Sequence, residues 1–178
     1  MSPPDLTAHI PSLRRYARAL TGDGWAADDL VQDTLERACG KWRLWTVGSN
    51  LRAWLFTLMH NLHASQARQT SRRAAMLAQV DIDEVSAELV APLPADELAL
   101  DLQRCLLQLP EEQRAVLLLV CLEDMGYAQV ARITGTPIGT VMSRLSRARS
   151  RMQALLNAPA GAERVGSGAA TPRLTRLK

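Results

Sequence analysis

One stretch in the second half of the chain, residues 126–152, constrains the fold more than any other. A glycine, a threonine and a proline follow one another there, beginning at Gly135. A glycine commonly ends a helix in the left-handed conformation, whereas threonine and proline are typical of the first positions of the next helix. The pattern therefore predicts two helices, at about 127–133 and 137–152, joined by a tight turn.

The second of these predicted helices has two unlike faces. Its apolar residues recur three or four positions apart and form one stripe, which consists of Val141, Leu145, Ala148, Met152 and Leu155. A different face carries hydroxyl and guanidinium groups, which belong to Thr140, Ser143, Arg144, Arg147 and Arg151. This arrangement is a helix-turn-helix signature, in which the second helix contacts DNA. An ordinary helical hairpin with a solvated basic face shares the pattern, so the rest of the chain must decide.

The composition favours an all-α protein. The chain has 178 residues, of which 47% are hydrophobic, yet it contains one Phe and two Tyr only. No apolar run approaches the roughly 18 residues that span a membrane, and no secretory signal is visible, so we expect a cytoplasmic protein.

Cys39, Cys105 and Cys121 are expected to be small buried residues, not a disulfide framework or a zinc site.

Charge divides the chain into three parts. Residues 1–73 contain ten Lys or Arg and six Asp or Glu. Residues 74–103 contain no Lys or Arg and seven Asp or Glu, whereas residues 104–178 contain eleven Lys or Arg and five Asp or Glu. Two basic blocks separated by an acidic connector suit two modules that touch a polyanion. Pro92 and Pro94 further favour a flexible tether between them.

The first block is predicted to contain three helices, from about Leu6 to Leu20, Trp25 to Cys39 and Leu51 to Arg73. The second of these presents an acidic face, formed by Asp29, Asp33 and Glu36 with Asp28 and Gln32 beside them. Such a face is either simply solvated or a docking surface for a basic partner, and the residues alone leave both open.

The third predicted helix has an apolar, Trp-containing half followed by a polar, basic half. Trp42, Trp45 and Trp54 lie near cations, which suits either a core or the stacking of single-stranded bases. His60 and His63 lie one turn apart, but no carboxylate or cysteine lies within a turn of them, so we predict no metal site.

The second block is predicted to contain a helix with Leu98, Leu102, Leu106 and Leu109 on one stripe, and then a buried helix through Ala115 to Leu122. The sequence as a whole therefore predicts two small helical domains, at 1–73 and 96–156, joined by a flexible acidic linker at 74–95. Residues 157–178 are expected to form a disordered tail.

The order of these features resembles an ECF (extracytoplasmic-function) sigma factor, a bacterial RNA polymerase initiation factor. The stretch DDLVQDTLERA, residues 28–38, resembles the family's polymerase-binding helix. NLRAWLFT at 50–57, with Asn61 and Leu62, is similar to the promoter-melting helix. Residues 109–149 resemble the second domain, in which GTVMSRLSRAR at 139–149 matches the −35 recognition helix.

The resemblance implies a role for each candidate site. Core polymerase would bind Asp28, Asp29, Gln32, Asp33 and Glu36. The −10 element would contact Trp54, His60, Asn61, Arg68, Arg72 and Arg73. The −35 element would contact Thr140, Ser143, Arg144, Arg147 and Arg151. It also implies an anti-sigma factor as a partner, and neither a catalytic site nor a cofactor nor a metal.

Four positions depart from the family's pattern. Met142 stands where Lys is common, and Cys39 stands where Trp is frequent. His60 and Ser65 stand where the melting helix usually carries Arg and Asp. These departures affect the expected −10 preference more than the expected role.

Three alternatives account for parts of the sequence. A helix-turn-helix regulator acting without core polymerase would use residues 104–156 and leave the acidic helix without a role. A sigma-like decoy that binds an anti-sigma factor would not need the arginine face. A metalloenzyme built on His60 and His63 has the least support.

Overall fold

The computed structural model describes residues 5–45, 49–77 and 97–157, and the regular elements in these ranges are helices. The α-helices are α1 Ile10–Thr21, α2 Gly24–Lys41, α3 Leu51–Leu77, α4 Glu97–Leu107, α5 Glu111–Cys121, α6 Tyr127–Thr134 and α7 Ile138–Asn157. Short 3-10 turns at Thr7–His9 and Trp42–Leu44 precede α1 and follow α2. The prediction of an all-α fold is confirmed. Helices α1 to α3 are called the first module below, and α4 to α7 the second module.

The first module is built around the stripe that the sequence predicted on α1. Leu13, Tyr16 and Leu20 have no exposed surface, and the Tyr16 ring meets the Phe56 ring of α3 edge to face at 5.2 Å. Gly22 ends α1 with a φ of 75°, a conformation that favours glycine. The module therefore packs through the inner faces of all three helices.

Helix α3 begins where the sequence predicted but ends four residues later, at Leu77 rather than Arg73. The side-chain oxygen of Asn50 accepts a hydrogen bond from the Ala53 backbone N–H at 3.0 Å, so Asn50 caps the helix. The predicted linker thus begins inside α3. Its remainder, 78–95, and the predicted tail from 158 onward lie outside the described residues.

The second module has α5 as its buried centre, and the sequence predicted this. Residues 115–119 are all buried between the surrounding helices. The leucine stripe on α4 was only half right, because Leu106 and Leu109 are buried whereas Leu98 and Leu102 are exposed. Leu102 lies on an open apolar groove between α4 and α7, since the neighbouring helices do not close over that half of α4.

The helix-turn-helix has the predicted turn. Gly135 ends α6 with a φ of 64°, and the Thr136 N–H donates to the Ala131 carbonyl at 3.1 Å. Helix α7 begins one residue later than predicted, because the Pro137 carbonyl accepts its first hydrogen bonds, from Thr140 at 2.9 Å and Val141 at 3.1 Å. Pro137, not Thr136, therefore occupies the capping position.

The cysteines correct one expectation. Cys39 and Cys121 are exposed and Cys105 is partly buried. Cys121 is the last residue of α5, and the inward positions of that helix are taken by Val116 and Leu119. An apolar run on a helix buries only the residues that face inward, so composition alone misplaced these thiols.

The two modules pack against each other, which the sequence did not predict. Helix α1 contacts α4 and α5, and α3 contacts α6, so one apolar core runs through both modules. Among the described helices, none has the length and apolar character needed to cross a membrane.

Candidate nucleic-acid interface

The outer face of α7 presents most of the predicted −35 contacts. Because Val141, Leu145 and Ala148 are buried, the helix turns its other side to solvent. Ser143, Arg147 and Arg151 are exposed there, and Thr140 and Arg144 are partly buried. The structure thus brings a hydroxyl and two guanidinium groups onto one free surface of a helix-turn-helix.

Arg144 differs from the other arginines of α7 because it is paired within its own module. Its guanidinium forms an ion pair with the Glu112 carboxylate, and its side chain is only 20% exposed. The sequence did not reveal this partner, since Glu112 lies on α5, more than thirty positions away. An anionic ligand would compete with Glu112 for the Arg144 guanidinium. The exposed Arg147 has no such partner among the described residues.

The predicted −10 residues divide over two sides of α3. At 3.6 residues per turn, Trp54, Asn61, Arg68 and Arg72 share one side. Asn61, Arg68 and Arg72 are exposed and Trp54 is partly buried. Arg73 is also exposed and, one position after Arg72, lies at the edge of this side. Trp54 packs partly against the core, whereas Asn61, Arg68 and Arg72 are accessible to a ligand in the described part of the chain. This side of α3 is called its free side below.

His60 lies on the opposite side of α3, where the helix packs toward the second module. Its Nδ1 is buried and has no hydrogen-bond partner among the described residues. Burial lowers the pKa of His60, and the neighbouring His63 lowers it further. His60 is therefore uncharged near neutral pH, which makes it a poor phosphate contact.

His63 is engaged across the two modules. Its Nδ1 lies 2.9 Å from a carboxylate oxygen of Glu111, at the start of α5. Burial lowers the pKa of His63, and the Glu111 charge opposes that shift. Within 5–45, 49–77 and 97–157, no cluster of His, Cys, Asp or Glu has a metal-binding arrangement.

The three tryptophans near α3 differ in their contacts and in their burial. The Arg43 guanidinium lies 5.9 Å from the centre of the Trp42 ring, a cation–π contact. The Trp45 indole nitrogen is buried without a hydrogen-bond partner in the described part of the chain. Trp54 alone lies on the free side of α3, so it is the aromatic group best placed to meet a base.

The acidic face of α2 is present as predicted. Asp29, Gln32 and Glu36 are exposed, and the Gln32 amide donates to Glu36 at 3.0 Å. Two predicted members are partly engaged elsewhere. Asp28 pairs with Arg14 at 3.0 Å, and Asp33 accepts a hydrogen bond from Gln66 of α3 at 3.4 Å.

Sequence reasoning missed one residue on this face. Trp25, in the first turn of α2, is 77% exposed. It precedes Asp29, Gln32 and Glu36 by four, seven and eleven positions, so all four side chains lie along one side of the helix. That spacing was readable in the sequence. An exposed tryptophan above carboxylates is a candidate anchor for a basic partner.

Two family profiles match the chain. The profile described as "Sigma2 domain of PhyR" matches residues 6–60, and "Sigma-70, region 4" matches residues 99–152. The first match spans α1, α2 and the start of α3, and the second spans most of α4 to α7. Each module thus corresponds to one profile.

Known proteins show the same relationship over most of the chain. An ECF RNA polymerase sigma factor, EcfG of Rhodopseudomonas palustris, is 39% identical over 155 residues, which cover 85% of this chain and 83% of that protein. The sigma factor RpoE of Bartonella quintana, solved in complex with the anti-sigma factor NepR, superposes with a TM-score of 0.71. It is 37% identical, over 86% of this chain and 95% of that one.

A more distant structural neighbour has a different role. The anti-anti-sigma factor PhyR of Bartonella quintana, complexed with NepR, superposes with a TM-score of 0.56 at 19% identity, over 84% of this chain and 48% of that one. At this identity the likeness concerns the fold alone.

Proposed function

Because this chain belongs to the ECF family of RNA polymerase sigma factors, we propose that it binds core RNA polymerase and directs initiation by contacting −10 and −35 promoter elements. Sigma factors are not enzymes, and the polymerase supplies the chemistry. What the chain must supply is one surface for the polymerase and two for DNA.

The separation of charge between helices carries this proposal. The exposed acids of α2 repel a phosphate backbone, so that surface suits a basic protein partner. The exposed arginines of α7 suit DNA. A DNA-binding regulator that acts without polymerase has no use for the first surface.

We assign core binding to the acidic face of α2. Asp29, Gln32 and Glu36 supply carboxylate and amide oxygens, while Trp25 adds an apolar surface that a guanidinium or ammonium group can cover. Asp28 and Asp33 lie at the edge of this face because each already has a partner within the chain.

We assign −35 recognition to α7. A helix fits the major groove of B-DNA. There an arginine side chain hydrogen-bonds to guanine, and a serine or threonine hydroxyl can hydrogen-bond to more than one kind of base. Arg147 and Arg151 are exposed and can make such contacts. The Ser143 hydroxyl is also exposed, but it donates to the Thr140 carbonyl at 3.0 Å and can only accept from a further partner in that geometry. Thr140 lies one turn before Arg144, near the start of the helix. Arg144 contributes only after it leaves Glu112.

We assign −10 contact to the free side of α3. Strand separation costs a few kcal/mol for each unstacked base, and an aromatic side chain lowers that cost. Trp54 supplies the aromatic surface, Asn61 an amide for base edges, and Arg68 and Arg72 supply charge along the backbone. Arg73 adds charge at the edge of this side. His60 is left out because it is partly buried on the opposite side of α3 and its lowered pKa leaves it uncharged near neutral pH.

We also propose an anti-sigma factor as a regulatory partner. The Bartonella quintana sigma factor that resembles this chain at 37% identity was solved with one, NepR. Action on promoters places the chain in the cytoplasm, with the polymerase and the DNA.

The decisive experiment adds the purified chain to bacterial core polymerase and maps the RNA start sites on genomic DNA fragments. We expect starts that share an upstream pair of elements. Failure to bind core polymerase, or starts identical to those of core polymerase alone, would overturn the proposal.

One observation favours a second candidate function. The profile that matches residues 6–60 is named after PhyR, and a PhyR is described as an anti-anti-sigma factor. A decoy of this kind would bind an anti-sigma factor but neither polymerase nor promoter. Measuring binding to a −35 duplex separates the two, because a decoy should bind it no better than a random duplex does.

A further inference from the structure

The contact between the two modules contains a buried carboxylate with cations on both sides. Glu123 lies in the loop between α5 and α6, and its side chain has no exposed surface. Arg15 of α1 donates two hydrogen bonds to Oε1, from Nε at 3.1 Å and from Nη2 at 3.0 Å. Arg52 of α3 donates to Oε2 at 2.6 Å and to the Glu123 backbone carbonyl at 2.8 Å.

All the charge that neutralises Glu123 in these contacts therefore comes from the other module. A carboxylate removed from water is costly unless it is paired and hydrogen-bonded. Glu123 meets that condition only while the modules are together. The side chains of Arg15 and Arg52 are 55% and 31% exposed, so both guanidinium groups are readily hydrated when the contact breaks.

Other contacts flank this site on both sides. The Gln103 amide of α4 donates to the Ala19 carbonyl of α1 at 3.2 Å, and His63 of α3 meets Glu111 of α5 at 2.9 Å. Polar contacts thus run along the boundary between the modules. None of them uses the free side of α3 or the outer face of α7.

We infer that Glu123, Arg15 and Arg52 form a latch, meaning a charged contact that holds the two modules in a closed arrangement unable to reach both promoter elements. The inference rests on the proposed function, because only a two-point promoter contact requires the modules to separate.

The length of DNA between the two elements supports this inference. Their centres are roughly 25 base pairs apart, which is about 85 Å at 3.4 Å for each base pair. In the closed arrangement α3 packs against α6, the neighbour of α7 in the helix-turn-helix. Packed helices lie about 8–10 Å apart, and α3 is only about 40 Å long. The two DNA-binding surfaces cannot then span the promoter.

The linker has enough chain to allow opening. Fully extended, residues 78–96 would span at most about 65 Å. Together with the lengths of the modules, this reach suffices for both elements. The closed arrangement is thus one of two states of the chain. The contacts of Glu123 determine the equilibrium between the closed and the open state.

The test measures the distance between spin labels on the free chain. Cys39 of α2 and Cys121 of α5 are exposed and lie one in each module, and Cys105→Ala removes the remaining thiol. We expect a single narrow distance distribution in this background. Glu123→Gln should raise the ratio of open to closed chain about tenfold or more, because it removes charged hydrogen bonds. Arg104→Gln, which breaks an exposed ion pair within α4, is the matched control.

Each outcome decides the matter. An unchanged distance distribution in Glu123→Gln, or a broad distribution in the unmutated background, would overturn the latch. If Glu123→Gln loses its helical circular dichroism, the Arg15→Ala/Arg52→Ala variant takes its place with the same expectation. This readout involves neither polymerase nor DNA, so failure of the latch and failure of the proposed function are distinguishable.

Discussion

The contact between the modules and the outer faces of the molecule use the same chemical groups in opposite ways. At the contact, the Glu123 carboxylate and the guanidinium groups of Arg15 and Arg52 satisfy one another. On the outer faces, acids of α2 and arginines of α7 remain exposed. We infer from this difference that the buried charges hold the two modules of the free chain together, whereas the exposed charges bind partners. Each prediction below tests one side of this comparison.

The largest effect is expected at the contact. Replacing both Arg15 and Arg52 by Ala leaves Glu123 buried without a cation, which should lower the stability of the closed chain by about 3 kcal/mol. Arg52→Ala alone should cost more than Arg15→Ala alone, because Arg52 is less exposed and makes a second bond to the Glu123 carbonyl. Urea unfolding followed by tryptophan fluorescence measures the free energies.

Arg14→Ala provides the control for that series. It breaks an ion pair with Asp28 in which both side chains are half exposed, so its cost should stay below about 1 kcal/mol. An equal loss of stability in Arg14→Ala and in the double variant would show that burial of Glu123 makes no difference.

A smaller effect is expected on the acidic outer face. Asp29→Lys reverses a charge on the face of α2 and should weaken core polymerase binding by about 2 kcal/mol. Fluorescence titration of core polymerase measures the dissociation constant. Asp101→Lys on α4 changes the net charge equally and should have little effect. Equal losses in the two variants would contradict a specific docking face.

Trp25 gives an independent test of the same face. Trp25→Ala removes an exposed side chain, so the stability of the free chain should hardly change. Core binding should nevertheless weaken by roughly 2 kcal/mol if Trp25 anchors the partner. Unchanged core binding would remove Trp25 from the proposed interface.

Helix α7 carries an exposed arginine, Arg147, and an arginine paired within the chain, Arg144, so the two can be compared on one helix. Arg147→Ala should weaken binding to a −35 duplex by about 1.5 kcal/mol, within the range of one good base contact. Arg144→Ala should cost less, because Arg144 already pairs with Glu112. Fluorescence anisotropy at fixed salt measures both, and a larger loss for Arg144→Ala would reverse this assignment.

The smallest expected effect is a dependence of stability on pH through His60. Burial lowers its pKa in the folded chain, and His63 and Arg144 act in the same direction while Glu111 and Glu112 oppose them. The unfolded chain binds a proton near pH 6.5 and the folded chain only below that. The stability from His60 is therefore complete above about pH 6.5 and falls as the pH decreases. Urea unfolding between pH 5.5 and 7.5 should show a weaker dependence in His60→Gln.

Local sequence patterns were enough to predict most of the helices. The period of apolar residues located α1, α5 and α7, and the turn at Gly135 followed from conformational preferences of single residues. These features depend on neighbours within a few positions, which a sequence displays directly.

Contacts between distant residues could not be predicted in the same way. Glu123 meets Arg15, and Arg144 meets Glu112, through packing of helices that are far apart in the chain. Leu98 and Leu102 continue an apolar stripe but are exposed, because none of the described helices covers them. Burial of a candidate residue depends on tertiary packing. The sequence named His60 as a candidate DNA contact, and only the structure shows that its side chain is partly buried with a buried Nδ1.

One measurement tests most directly the claim that buried charges close the free chain while exposed charges engage partners. The distance between spin labels on Cys39 and Cys121 is compared in the free chain and in its complex with core polymerase and promoter DNA. We expect one narrow distance distribution in the free chain and a distance tens of ångströms longer in the complex. The same distance in both states, in a complex that initiates transcription, would contradict the account.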